Sequence, residues 1–251
     1  MEIVLIGAGG HSKVIRDMIH ANQGMRLAAV LDDKYPELLL ENGLYTGPIS
    51  SVHALLTGNA GLKCIVAIGD NEIRRSVVRR LDLIDEQFVS LIHETAIISP
   101  SAAIGRGTVV MAYAVIQAGA GIGRHAIVST GAIVEHDAIV GDYAHVAPNA
   151  TLTGAVQAAE GTMIGAGATV IPGKRIGAWA TIGASATVIS DIPPDSTAVG
   201  TPAKVISYHV NQGVKHDGYK ADESSFLFNQ RGESFDRDVV GRGYWRLPLR
   251  R

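Results

Sequence analysis

Large aliphatic residues recur at every sixth position from Ile98 to Val188 without a slip in register: Ile98, Ile104, Val110, Ile116, Ile122, Val128, Val134, Val140, Val146, Leu152, Ala158, Ile164, Val170, Ile176, Ile182 and Val188. Only Ala158 is small. Four residues after each lies a second, mostly small position, from Ala102, Thr108 and Ala114 onward to Ala186, and glycine often follows the aliphatic directly, as in Ile104-Gly105 and Ile122-Gly123. A helix repeats near 3.6 residues and a strand at 2, so a period of six marks a solenoid of short strands joined by tight turns. If each hexad is one flat face, with its aliphatic inward and a small residue or glycine at the next corner, three faces close a triangular coil of eighteen residues. Successive coils then pair backbone to backbone at about 4.8 Å. The stack is its own core, each inward side chain contributing roughly 1.5–3 kcal/mol of burial before entropy is charged.

Ahead of the repeat the pattern changes. Glu2 to Ile6 is an apolar run with buried-strand character, Gly7-Ala8-Gly9-Gly10-His11-Ser12 breaks it, and Val14, Ile15, Met18 and Ile19 follow at helical spacing. Leu27 to Leu31 predicts a second strand ending at Asp32-Asp33, so the unit reads as βαβ with a parallel pair. Leu62 to Gly69 predicts a third strand. The helix after it is expected to be capped by Asn71, with Glu72 in its first turn. Ile73, Val77, Val78 and Leu81 are expected to face inward, leaving Arg74, Arg75, Arg79 and Arg80 as a solvated face. Three segments result: an α/β layer over residues 1–92, the β-solenoid over 93–206 and a polar extension over 207–251. The linker between the first two is short, which predicts packed domains. Phe226, Phe228, Phe235, Tyr244 and Trp245 in the extension argue against plain disorder and predict packing on the rest of the assembly.

Composition narrows the function classes. A net charge of −2 and a near-neutral pI give no electrostatic footprint for nucleic acid. Cys64 stands alone in an apolar run, so it reads as a buried thiol of a protein from a reducing compartment rather than part of a disulfide framework. The chain has no stretch as long as a membrane span and opens directly on a strand, which suits a soluble cytoplasmic protein.

The glycine turn that opens the first helix leaves backbone N–H groups pointing outward at the positive end of the helix dipole, a natural seat for phosphate. A dinucleotide fingerprint would want a third glycine where Ser12 stands, which disfavours a redox cofactor and an NAD-linked oxidoreductase. Glu135-His136-Asp137 is the strongest catalytic candidate: an imidazole of near-neutral pKa can act as general base, and an adjacent carboxylate can orient it. Counting eighteen residues either way stacks Ala118 below and Gly154 above His136, small neighbours that leave space beside the ring and a Gly154 N–H for a reacting carbonyl. His93, His125, His136 and His145 differ too much in coil phase to share a metal, so catalysis is expected without one.

Taken in order, the hexads, Gly7-Ala8-Gly9-Gly10-His11, Asp32-Asp33, Ala67-Ile68-Gly69-Asp70-Asn71-Glu72-Ile73-Arg74, Leu91-Ile92-His93, Glu135-His136-Asp137 and the closing Val199-Gly200-Thr201-Pro202 resemble the hexapeptide-repeat sugar acetyltransferases. That family includes sialic-acid O-acetyltransferases and UDP-4-amino-sugar N-acetyltransferases. The resemblance implies a Rossmann-like N-terminal domain followed by a left-handed parallel β-helix, a homotrimer, and transfer of acetyl from acetyl-CoA to the amine, at C4, of a nucleotide-linked amino sugar for glycan biosynthesis. O-acetylation of a sugar or sialic acid is the alternative within the class, and a non-catalytic sugar-nucleotide scaffold the alternative outside it. The resemblance implies His136 and Asp137 as catalytic, and Gly10, His11, Ser12, Asp32, Asp33 and Gly69 around the nucleotide-sugar. It further implies His145, Gly154, Ala166 and Ala184 along acetyl-CoA, with Lys174 or Lys204 as candidates for its phosphates. Small residues on the outer faces (Ala112, Ala118, Ala166, Ala178 and Ala184) suit face-to-face packing of subunits.

Overall fold

The structure, a computed structural model, describes residues 1–59 and 61–208. Residues 2–81 form an α/β layer: β1 (Glu2–Ile6), α1 (Gly10–Ala21), β2 (Arg26–Leu31), β3 (Leu39–Glu41), β4 (Leu44–Gly47), α2 (Val52–Gly58), β5 (Leu62–Val66) and α3 (Asn71–Leu81). The sheet order is β3-β4-β2-β1-β5, parallel except for β3 on β4. Ile3 to Ile6 and Val30 to Leu31 are fully buried, as central parallel strands covered on both faces must be. The small edge hairpin of β3 and β4 falls where the apolar pattern assigns no element, and Leu39 and Leu40 on it, with Leu38 just before it, are exposed. Cys64 is fully buried on β5, and burial pushes its thiol up to about 12.

The hexads form a left-handed parallel β-helix of two-residue strands. From Leu91–Ile92 to Thr169–Val170 every strand pairs with the one eighteen residues on, as in Val115↔Ile133↔Thr151, giving three sheets that are the faces of the prism. The first face starts at Leu91–Ile92, the second at Ile97–Ile98 and the third at Ala103–Ile104. From Ile104 to Val188 the aliphatic column is at most 1% exposed, and the small column from Ala102 is packed against it in the same core.

One expectation about the corners is corrected. The left-handed backbone lies three residues after the aliphatic, at Gly107, Tyr113, Gly119, His125, Gly131, Asp137 and so on to Ser185, and only some of these are glycine. The glycine that follows the aliphatic directly answers a different demand, close approach: a Cβ on Gly123 would stand 2.5 Å from the Asp142 nitrogen of the next coil. The solenoid starts at Leu91, which pairs with Val109, and closes with the antiparallel strand Lys204–Tyr208. The packing expected of the C-terminal extension concerns residues 209–251 and lies outside the described residues. Among the described residues no helix is long and apolar enough to cross a membrane.

The two domains share a core. Ile3, Leu5, Ile15 and Ile19 pack with Leu91, Val109, Met111 and Ile127, the apolar lower half of the first face. The α/β layer is thereby seated on one face of the prism.

Candidate active site

The chain leaves β1 toward β2 on one side and reaches β5 on the other, so the crevice at the carboxyl ends of β1 and β5 is the topological switch point, where ligands of open α/β sheets bind. Gly7–Gly10 and Ala67–Asn71 flank it. Gly7 has φ +103°, and a Cβ there would meet the Ala67 carbonyl at 3.1 Å, so the first turn requires glycine. Helix α1 begins after Gly9 with no side-chain cap, and Gly10 is exposed at its start. Ser12 is buried and donates to the Gly9 carbonyl at 2.6 Å, so its hydroxyl closes the turn from within. Asp32 braces the same turn, accepting from the Ala8 N–H at 2.7 Å and the Lys34 N–H at 3.1 Å. Both Asp33 oxygens are engaged inside the domain, by the Ile49 N–H and by Arg80.

Helix α3 joins this crevice to the solenoid, and here the structure corrects two expectations. The N-cap is Asp70, which accepts from the Ile73 N–H at 2.9 Å. Asn71 is thereby free to donate its side-chain amide to the carbonyls of Gly161 and Thr162. Of the four arginines, Arg74 is 1% exposed, whereas Ile73, expected inside, is 55% exposed. Arg74 shares the stripe of Val77 and Leu81, and its donors are matched by carbonyls of both domains, which is how a buried guanidinium stays tolerable. Arg75 lies over the Trp179 ring, 3.9 Å from its centroid, and beside Glu160.

His145 continues the row of Val109 and Ile127 up the first face and meets this seam. Its Nε2 lies 2.9 Å from the Ser129 hydroxyl. Burial, then the Arg74 charge and His11, hold it down to about 4, with the Gly69 backbone pulling the other way. His11 is likewise held to about 4 by burial and Arg74, so both rings are neutral at physiological pH. Above His145, an open cleft of about 290 Å³ is lined by Gly69, Asp70, Asn71, Glu72, Gly161, Met163, Trp179 and Thr181.

His136 stands elsewhere, at the corner between the second and third faces. Its Nδ1 lies 2.9 Å from Asp137 Oδ2, and both side chains are largely exposed. With Nδ1–H donated to the carboxylate, Nε2 keeps its lone pair. The Asp137 hydrogen bond holds the imidazole pKa above its ordinary value. Asp137 has φ +59°, and a Cβ on Gly119 of the coil below would come 2.7 Å from Asp137 Oδ1. Gly154, one coil above His136, lies directly beside the ring: a Cβ there would come 2.6 Å from Nε2. Glycines on both sides thus make room for the pair.

The structure therefore brings the candidates together in two groups. Gly10, His11, Gly69 and His145 gather at the domain seam, while His136, Asp137 and Gly154 share the opposite corner. His136 and His145 are nine residues apart, half a coil, so they point to opposite sides of the prism. Ala166 and Ala184 are exposed, one above the other, at the corner between the first and second faces. Lys174 is half-buried at the His136 corner, and Lys204 is exposed on the closing strand. Sequence reasoning missed Arg74 and Ser129; the helical spacing of Arg74 with Val77 and Leu81 was the available signal. Among the described residues no group of three His, Cys, Asp or Glu is placed to hold a metal.

A family model described as the PglD N-terminal domain matches residues 2–81. UDP-N-acetylbacillosamine N-acetyltransferase of Bacillus subtilis (strain 168) is 48% identical over 110 residues, which are 44% of this chain and 51% of that protein. The match thus spans about half the length of this curated relative. A variant of perosamine N-acetyltransferase from Caulobacter crescentus, solved with CoA and GDP-perosamine, superposes with a TM-score of 0.74 at 36% identity, covering 82% of this chain and 97% of that one. The acetyltransferase domain of PglB from Neisseria gonorrhoeae FA1090, solved with acetyl coenzyme A, gives 0.69 at 34% identity, covering 82% and 98%.

Proposed function

This chain belongs to the hexapeptide-repeat sugar acetyltransferases that carry a PglD-type N-terminal domain, and on that premise we propose that it transfers acetyl from acetyl-CoA to the amine of a nucleotide-linked amino sugar. The observation that carries the reading is the His136–Asp137 pair over Gly154, an imidazole with one nitrogen tied to a carboxylate and the other open. As the amine attacks the thioester carbonyl, Nε2 takes the proton that the forming C–N bond releases, and the proton leaves with the thiol as the C–S bond breaks. The Gly154 N–H is offered to the oxygen that gains charge. The crevice between the Gly7–Gly10 and Ala67–Asn71 turns holds the nucleotide-sugar, its phosphates on the uncapped start of α1. The exposed small column of Ala166 and Ala184 leaves room for the extended arm of CoA, with Gly154 of one subunit and His145 of its neighbour nearer the thioester.

Because the crevice and His136 lie on opposite sides of one prism, one subunit's crevice must meet a neighbour's His136. A homotrimer does this, and exposed Ile97 and Ile189 on the second face and Tyr113 at its edge supply apolar area for it. The lone buried Cys64 suits the cytoplasm. A thiol-release assay with acetyl-CoA against UDP-, dTDP- and GDP-linked amino sugars and free sialic acid tests the activity. Turnover of an amino-sugar nucleotide is the expected result; turnover of sialic acid alone overturns the N-acetyl reading. A monomer by light scattering at micromolar concentration overturns the shared site.

The crevice assignment makes its own prediction. His11→Ala and Asp32→Ala, the second of which unbraces the Ala8 turn, should each raise the acceptor KM by roughly 2–10-fold, the scale of one lost hydrogen bond, with the acetyl-CoA KM nearly unchanged. Effects confined to acetyl-CoA would place the acceptor elsewhere.

A further inference from the structure

We infer that Arg74 is a positioning residue for the transfer: it holds the Ile68–Gly69 turn at a set height over the His145 face of the solenoid, and so sets where the acceptor is presented. The inference rests on the reading of the crevice beside Gly69 as the acceptor site. One guanidinium spans both domains. Nη1 donates to the carbonyls of Ile68 at 2.9 Å and Gly69 at 3.0 Å, Nε to the carbonyl of His125 at 2.8 Å, and Nη2 to the carbonyl of Tyr143 at 2.6 Å and to Asn71 Oδ1 at 2.7 Å. Asn71 then carries the link onward to Gly161 and Thr162.

Helix α3 does not need this residue in order to bury its apolar stripe, since Val77 and Leu81 already pack against the sheet. Desolvating a guanidinium is costly, and the cost is met here because its donors reach four carbonyls that an apolar side chain would leave unpaired in the seam. What an apolar side chain lacks is the rigid planar fork that fixes two carbonyls of the turn relative to two of the solenoid corner within hydrogen-bond tolerance. The groups this turn faces are those a small shift would disturb. The Gly69 backbone acts on His145, and His11 Nε2 is buried in the same seam without a partner among the described residues. Gly69 and Asn71 form the rim of the cleft above them.

The test compares Arg74→Met and Arg74→Lys with the wild type in steady-state kinetics on both substrates. A displaced turn should lower kcat/KM for the nucleotide-sugar about tenfold in Arg74→Met, in keeping with the cost of sub-ångström misplacement. The acetyl-CoA KM should stay within about twofold, and Arg74→Lys, which keeps the charge and part of the donor set, should fall between. An acceptor kcat/KM within about threefold of wild type, or equal losses on both substrates, overturns the inference. Should Arg74→Met fail to fold, Asn71→Ala decides by the same criterion, since it removes the link to Gly161 and Thr162. Hydrogen exchange of the Ile68–Asn71 amides in Arg74→Lys needs no substrate: faster exchange supports the inference even where the acceptor reading fails, and unchanged exchange sinks it.

Discussion

His136→Ala should lower kcat by roughly 10²–10⁴, the worth of a positioned general base, with the fold and the oligomer intact. The side chain is 63% exposed and touches none of the inward column, so its loss leaves the stack unchanged. Asp137→Asn should fall between wild type and His136→Ala, because the imidazole stays but loses its orienting charge. The pH profile separates the two roles. Only the neutral ring can accept a proton, so kcat/KM should fall as pH drops through the His136 pKa. Asp137 raises that pKa, which places the acid limb above the ordinary histidine value, and Asp137→Asn should move it to lower pH. Retention of more than about a tenth of wild-type kcat by His136→Ala, below the low end of the expected range, would put the base elsewhere.

The solenoid was legible because its physics is one-dimensional: each hexad meets the same neighbours, so one aliphatic column repeated from Ile104 to Val188 specifies register, face and coil length together. The corner chemistry was less legible. A left-handed position can be filled by Asp137, Tyr143 or Trp179 as well as by glycine, so composition hides it, while the glycines that stand out in the sequence mark close backbone approach. In the α/β layer, the strands buried on both faces announced themselves, whereas the edge hairpin of β3 and β4, with Leu39 and Leu40 exposed, matched no burial pattern.

The candidate site was legible where chemistry and stacking coincide, and illegible where two domains meet. His136, Asp137 and Gly154 follow from residue type plus the eighteen-residue count. Arg74 does not, because an arginine on an amphipathic helix is ordinarily solvated, and only the carbonyls that the solenoid corner turns toward it reverse the preference. Asp70 and Asn71 are both good N-caps, and sequence could not tell which would cap and which would bridge. The half-coil separation of His136 from His145 was in the numbering all along, but its meaning waited on which face the N-terminal layer covers.

Gly154→Ala offers a second route to the base that leaves the imidazole chemically untouched. Gly154 does not have a positive φ, so alanine fits its backbone, but the added methyl would stand 2.6 Å from His136 Nε2 and 2.7 Å from Cε1. The ring, an exposed side-chain end, would give way by about 1 Å, a misplacement that can cost up to about 10²-fold in rate. The protein should therefore keep a near-wild-type melting temperature, since what moves is solvated, while kcat falls steeply and the acceptor KM changes little. The acid limb of the pH profile should persist, because Asp137 still holds Nδ1. Wild-type kcat in a folded Gly154→Ala enzyme would mean that the space over Gly154 is not where the proton is taken, and a kcat loss matched by a large fall in melting temperature would make Gly154 a packing glycine like Gly123.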